Sequence, residues 1–141
     1  MGGMKKPPSG VEEYIMMNDR KRVRATISNF STRSDRKGII VDIDGTVATH
    51  YDVQGNQLRE HHDYKLVSTD LPIEPIIDLV QMYEAKGFHI IFVSGRMDHC
   101  RQDTIQWLLD HNVPFDELFM RRFKDFRADD IVKEEIYKNH I

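Results

Sequence analysis

Cysteine is almost absent: Cys100 is the one thiol in 141 residues. That excludes an internal disulfide framework and a zinc cluster built from cysteines. It fits a reducing cytoplasm. Long apolar runs are also missing. None approaches the roughly 20 residues that cross a bilayer, so no membrane partner is expected. The opening MGGMKKPPSG is basic but has no apolar segment behind it, which excludes a signal peptide and leaves an arm without regular structure. Charge of one sign is not in excess either. With 20 Lys+Arg against 23 Asp+Glu the net charge is -3, so bulk attraction to nucleic acid is not indicated. No internal repeat is visible, and no G-x-x-x-x-G-K-[ST] phosphate loop occurs.

What is present is enough for one domain with a core. The chain is 40% hydrophobic and 30% charged, a globular balance, and its length suits one domain better than two. Basic residues cluster at Arg20, Lys21, Arg22 and Arg24, at Arg33, Arg36 and Lys37, and at Arg121, Arg122, Lys124 and Arg127. Such blocks read first as solvated faces and second as contacts for a phosphate-rich ligand. Residues 1–37 read as an N-terminal arm. Within it RVRATISNF alternates weakly and suits an edge strand.

Residues 38–141 read as one α/β domain. GIIVDID is the clearest strand. Ile39, Ile40 and Val41 are consecutive rather than alternating, which predicts cover on both faces, as in a parallel sheet between helices. The polar stretch Thr49 to Asp70, with a turn at Gln54-Gly55-Asn56, suits a small hairpin flap. A helix is predicted over Pro72 to Lys86, with Ile76, Leu79, Val80 and Tyr83 as its apolar stripe and Gly87 as its stop. FHIIFVSGR is a second strand, DHCRQDTIQWLLDHN a second helix on Ile105, Leu108 and Leu109, ELFMR a third strand, and RADDIVKEEIYKNHI a third helix. Asp129 and Asp130 suit that helix's positive end. Alternation of strand and helix predicts a doubly wound parallel sheet.

Ligands of such sheets bind beyond the carboxyl ends of the strands. The first strand delivers Asp42 and Asp44 there, and the second delivers Ser94, Gly95 and Arg96. Two carboxylates so close repel each other, and a divalent cation resolves the conflict; with oxygen ligands, Mg2+ is the natural choice. Ser94 and the amides near Gly95 are placed to hold phosphate oxygens. Two acids, a hard metal and phosphate donors make a phosphoryl-transfer site. Residues i and i+2 of an extended chain point the same way. One carboxylate is then positioned to attack phosphorus and the other to protonate the leaving oxygen and activate water. Gly45 lets the chain turn behind them. A lone D-x-D is a weak signal, and Ser-Gly-Arg alone is equally a turn; the buried strand running into DIDGT is the specific feature. His61, His62 and His99 are not spaced as zinc ligands and read as surface residues; Trp107 and Tyr83 read as core.

At these residues the sequence resembles the haloacid dehalogenase superfamily of phosphohydrolases. DIDGT resembles its first motif, VSGR its second, and Lys133 in DDIVKEEI the lysine of its third. A closer resemblance is to the 3'-phosphatase domain of phage polynucleotide kinase/phosphatase, whose string KDDVVKEEIF is nearly matched by ADDIVKEEIY. MYEAKGFHIIFVSGR resembles its helix-strand unit. The likeness runs from about Lys37 to the end. It implies a haloacid dehalogenase-like, Rossmannoid fold. It further implies that Asp42 is nucleophile and magnesium ligand, and that Asp44 is general acid/base with its backbone carbonyl on the metal. Thr46 would support that loop, Ser94 and Gly95 would hold phosphate, and Arg96 would contact phosphate or polynucleotide. Lys133 would neutralise the attacking carboxylate and the transferred phosphate, a suitable task for a compact ammonium.

The expected activity is magnesium-dependent removal of 3'-phosphate from polynucleotide ends through an aspartyl-phosphate, without 5'-kinase activity. The alternatives are a phosphatase of mononucleotides or small phosphoesters, and a non-catalytic module or one piece of a split enzyme. The last arises because the superfamily's fourth motif, an acidic pair on a further strand, is not seen. On this reading the domain is C-terminally incomplete, with a small flap rather than a large cap. The first strand is then left as an open edge, for a partner chain, a second copy or RVRATISNF to cover.

Overall fold

The computed structural model describes residues 37–141, so the arm and the strand expected at RVRATISNF lie outside the described residues, as do the basic clusters before Lys37. Five strands and three helices follow in order: β1 (Gly38–Val41), β2 (Ala48–Thr49), β3 (Leu71–Pro72), α1 (Glu74–Ala85), β4 (His89–Met97), α2 (Arg101–Asp110), β5 (Glu117–Arg121) and α3 (Asp129–His140). The main sheet has the order β1-β4-β5, and both pairings are parallel. This is the alternating α/β plan expected from the sequence.

Aliphatic side chains explain why the sheet is covered. Ile90, Phe92, Ile105, Leu108, Val113 and Phe115 are buried together with Ile43 and Val47 in one core. Full burial of such a side chain is worth about 1.5–3 kcal/mol. Asp116 fastens the entrance of β4 to the start of β5: its carboxylate accepts from the Ile90 N–H at 2.8 Å, and its own N–H donates to the Ile90 carbonyl at 2.8 Å. Trp107 is core, as expected, and its indole N–H donates to the Asp70 carbonyl at 2.8 Å. Tyr83 packs against the same core.

Two expectations about cover need correction. Ile40 is 49% exposed, although its aliphatic run predicts burial on both faces. The reason is position: β1 is an edge of the described sheet, bonded only to β4. On α1 the stripe is rotated by part of a turn. Ile77 and Val80 are buried, while Leu79 is exposed. The helix begins at Glu74 rather than Pro72, and Ile76 and Tyr83 pack against the core beside the buried Ile77 and Val80. Gly87, at φ 89°, ends the turn after α1 as expected.

The segment after β1 is a small flap. β2 and β3 pair in antiparallel fashion, Tyr51 bridges Gln57, and a 3-10 turn spans Tyr64–Thr69. Asp52 organises the tip by accepting from the N–H groups of Gln54 and Asn56, with Gly55 at φ 86° between them.

Candidate active site

β1 and β4 are parallel neighbours, Val41 beside Phe92, so their carboxyl ends open at the same side. Asp42 and Asp44 follow β1 directly. Gly45 turns the chain at φ 78°, and the amides of Thr46, Val47 and Ala48 all converge on the Ile43 carbonyl at 3.0–3.1 Å. That turn is rigid because Ile43 and Val47 within it are fully buried. Thr46 sits in this turn.

β4 does something the strand pattern does not foretell. Ser94 pairs with Met120, but the next pair is Met97 with Arg121, so Gly95 and Arg96 are extra residues on β4. Such bulges bend a strand and re-aim its side chains. Arg96 is thereby turned inward and buried. Its Nε donates to Asp44 Oδ2 at 3.0 Å, and its Nη2 donates to Asp44 Oδ1 at 2.8 Å and to Asp70 Oδ2 at 2.7 Å. Its Nη1 donates to Thr104 Oγ1 at 3.1 Å. Arg59 completes the group from the flap, with donors on Asp70 Oδ1 (2.8 Å), Asp70 Oδ2 (3.0 Å) and Asp44 Oδ1 (3.2 Å).

Asp44 is therefore clamped from two sides. Burial alone pushes its carboxyl up, but hydrogen bonding and charge from Arg96, then charge from Arg59, outweigh that and hold it below its usual range. The sequence suggests that a cation relieves repulsion between Asp42 and Asp44. In the structure two guanidinium groups already neutralise Asp44.

Asp42 stands in a different setting. Its side chain is 40% exposed; Oδ1 accepts from the Ile43 N–H at 2.8 Å, and Oδ2 lies 3.1 Å from Lys133 Nζ. Lys133 also reaches Asp129 Oδ2, one helical turn back, at 3.0 Å. Burial alone lowers the lysine's affinity for its proton, but Asp129 and Asp42 outweigh that and raise it above the usual lysine range. Lys133 is thus an ammonium pinned between two carboxylates.

Asp42, Asp44, Gly95, Arg96, Asp129 and Lys133 line one cleft of about 830 Å³, with His61 and His62 of the flap and Arg121, Phe126 and Arg127 of the β5–α3 segment also on its wall. The histidines are exposed, as expected, yet they face the site. Ser94 is fully buried, and its hydroxyl oxygen accepts from the Arg96 N–H at 3.1 Å. The cleft wall there is Gly95, where an added Cβ would collide with the Asp129 carboxylate. Arg96, expected at phosphate, instead commits its guanidinium to Asp44, Asp70 and Thr104.

No motif in the sequence marks Arg59, Asp70 or Arg121 as site residues. Arg121 belongs to a basic run that reads as a solvated face, but it is buried. Its Nε donates to the Gly95 carbonyl at 2.8 Å, and Nη1 donates to the carbonyls of Asp125 and Arg127 at 3.0 and 2.6 Å. Its Nη2 meets Asp129 Oδ1 at 3.2 Å. It ties the β4 bulge to the start of α3. A basic residue at the carboxyl end of β5 was the available signal.

The donor set bears on a metal. Magnesium keeps several waters and takes one or two carboxylates besides substrate phosphate. The exposed carboxylate of Asp42 fits that need. The Asp44 carboxylate does not, since both its oxygens accept from arginines; its main-chain carbonyl remains. No group of three or more His, Cys, Asp or Glu suited to a metal occurs among the described residues. No helix among them is long and apolar enough to cross a membrane.

Known proteins resemble this chain in family and in fold. The family model of the polynucleotide kinase PNKP phosphatase domain matches residues 36–141. A protein of Autographa californica nuclear polyhedrosis virus, described as a bifunctional polynucleotide kinase/RNA ligase, is 26% identical over 106 residues, covering 74% of this chain and 15% of the viral protein. A chain in a solved structure of the Pnkp1/Rnl/Hen1 complex is 28% identical with a TM-score of 0.68, covering 77% of this chain and 36% of that one. The class C acid phosphatase of Bacillus anthracis shares the fold at 14% identity and a TM-score of 0.55, over 97% of this chain and 62% of its own. This chain thus spans a minor part of the polynucleotide kinase relatives. With its parallel sheet, paired aspartates and helix-borne lysine, the chain belongs to the polynucleotide kinase PNKP phosphatase domain family, a haloacid dehalogenase-type phosphatase family.

Proposed function

We propose that the chain removes the 3'-phosphate from polynucleotide ends through an aspartyl-phosphate on Asp42. The observation that carries this reading is the ion pair of Asp42 with Lys133, 3.1 Å apart in an open cleft beside a clamped second aspartate. Asp42 is the nucleophile: a carboxylate oxygen bonds to phosphorus as the bond from phosphorus to the 3' oxygen breaks. Lys133 holds the carboxylate in line and balances charge on the transferred group. Asp44 is a carboxylate in the resting site, so the leaving 3' oxygen takes a proton from solvent in the cleft, relayed at Asp44. As a carboxylate it then takes a proton from water, which attacks phosphorus, frees inorganic phosphate and restores Asp42. The arginines that keep Asp44 ionised suit the second half of this cycle.

Magnesium would be held by the Asp42 carboxylate and the Asp44 main-chain carbonyl, and when bound would offset negative charge on the phosphate. Gly95 and its neighbouring amides would face the phosphate oxygens, and Ser94 and Thr46 would support the two loops. The exposed edge of β1 supports association with a partner chain or a second copy. The similar chain in the solved Pnkp1/Rnl/Hen1 structure is part of a complex. Residues 38–141 are the catalytic unit in this reading, working in the cytoplasm.

Phosphate release from a 3'-phosphorylated oligonucleotide, with magnesium and with a chelator, tests the proposal. Release only with magnesium is expected, and no release from a folded sample overturns it. Nucleoside 3'- and 5'-monophosphates in the same panel separate a polynucleotide enzyme from a small-phosphoester enzyme.

A further inference from the structure

Aromatic rings form a row beside the cleft, with Tyr64 buried in its middle and His61, His62, His99 and Phe123 exposed around it. His61 and His62 lie 4.6 Å apart, His62 and Tyr64 6.1 Å, Tyr64 and His99 5.7 Å, and His99 and Phe123 4.6 Å, all between ring centroids. The row runs from the flap, across the turn after β4, to the segment after β5. His61, His62 and Tyr64 line the cleft itself, and so does Phe126. Phe123 and Phe126 are 53% and 81% exposed, three residues apart. Single exposed phenylalanines are ordinary. Here one of the two, Phe126, stands on the wall of the cleft and the other, Phe123, ends the row of rings on His99, so together they make an exposed aromatic patch beside the site.

Charge on the same lip points to what lies there. The segment reads RRFKDFR, Arg121 to Arg127. Arg121 and Arg127 are engaged within the fold, Arg127 with Asp125 and Glu135. Among the described residues no ion pair holds Arg122 or Lys124, and both are exposed. Lys124 lies over the Phe123 ring, 5.5 Å from its centroid, and Arg122 is exposed beside it. Exposed rings interleaved with exposed cations, leading into a site for phosphate, match the way single strands are held: stacking on each base and loose attraction for the backbone.

We infer that the exposed rings of His61, His62, His99, Phe123 and Phe126 form a stacking track for the unpaired bases behind the reacting 3' end. It rests on the phosphatase reading above and deepens it: the substrate is a single-stranded polynucleotide end rather than a mononucleotide. The track takes bases of any sequence, since every base has a stacking face.

The test measures binding to a fluorescent ten-nucleotide single strand without 3'-phosphate, and to an abasic strand of equal length. The wild type and the double variant Phe123→Ala/Phe126→Ala are compared. Stacking is worth roughly five- to hundredfold in affinity per base. The wild type should bind the normal strand at least tenfold more tightly than the abasic one. The double variant should lose that preference while binding the abasic strand as the wild type does. Equal binding of both strands by the wild type overturns the inference, as does no binding of either. Loss of a dimer in the double variant, seen by sedimentation, also overturns it, since the lip is then a contact between copies.

Turnover of p-nitrophenyl phosphate by the wild type keeps the two readings apart. Turnover without strand preference sinks the track and leaves the phosphatase. Strand preference without any turnover does the reverse.

Discussion

Asp42 and Asp44 are separated by one residue, yet one faces a half-open cleft and the other a closed wall of charge. Behind Asp44, two arginines and a second aspartate use nearly every donor and acceptor they have. In front, Asp42 meets a single ammonium and keeps much of its surface free. The same side chain is thereby suited to two tasks. A nucleophile needs exposure and a line of approach; a proton carrier needs fixed orientation. Environment, not residue type, separates the two roles, as in other paired-carboxylate sites. The wall also explains the bulge at Gly95 and Arg96, which places a guanidinium where a regular strand would not.

The largest effect tests the open side. Asp42→Asn should lower turnover about 10⁴-fold or more, because covalent chemistry loses its nucleophile. Its thermal midpoint should barely move, since the site is half exposed. Residual turnover within tenfold of the wild type breaks the assignment. The next effect tests the wall. Asp70 is buried, holds both arginines, and takes no part in the chemistry. Asp70→Ala leaves two guanidiniums sharing one carboxylate and should destabilise by about 3–5 kcal/mol in urea unfolding. A loss under about 1 kcal/mol would mean that the wall is pliable. Third comes the link between the sides. Lys133→Met should reduce kcat about 10²–10³-fold, in the range of losing one transition-state charge partner, with a small change in stability.

The sequence shows one side of this comparison better than the other. Asp42, Asp44, Gly95, Arg96 and Lys133 sit at strand ends or on a periodic helix, where position along the chain predicts position in space. The structure does bring these five to one cleft. Arg59 and Asp70 come from a polar flap with no period, so nothing local says that they turn inward. Arg121 was hidden by composition: in a basic block, the member that is buried looks like its solvated neighbours. Ile40 misled for a related reason. Aliphatic content reports what a strand is able to bury, while its place at the sheet edge decides what it does bury. Ser94 is likewise legible as a motif residue but not as one that lies behind the wall.

The smallest effects separate the two sides by pH. Asp44 titrates lower in the folded protein than in the unfolded chain, so its stabilising contribution is complete above the unfolded value. That contribution is lost as pH falls through the folded value. The stability gap between wild type and Asp44→Asn should therefore narrow below about pH 4, by about 1 kcal/mol. Lys133 has the opposite sign. Its proton affinity is raised on folding, so its contribution is complete below the unfolded lysine value and lost as pH rises through the folded one. The gap between wild type and Lys133→Met should narrow only above about pH 10, and by less than the gap for Asp44→Asn, as befits a partly exposed pair. Urea unfolding of the three proteins across pH checks both limbs. A gap for Asp44→Asn that holds constant into acid would mean that the charge on Asp44 adds nothing to the stability of the fold. Asp44 would then owe its position to packing, and the contrast with Asp42 would be one of exposure rather than charge.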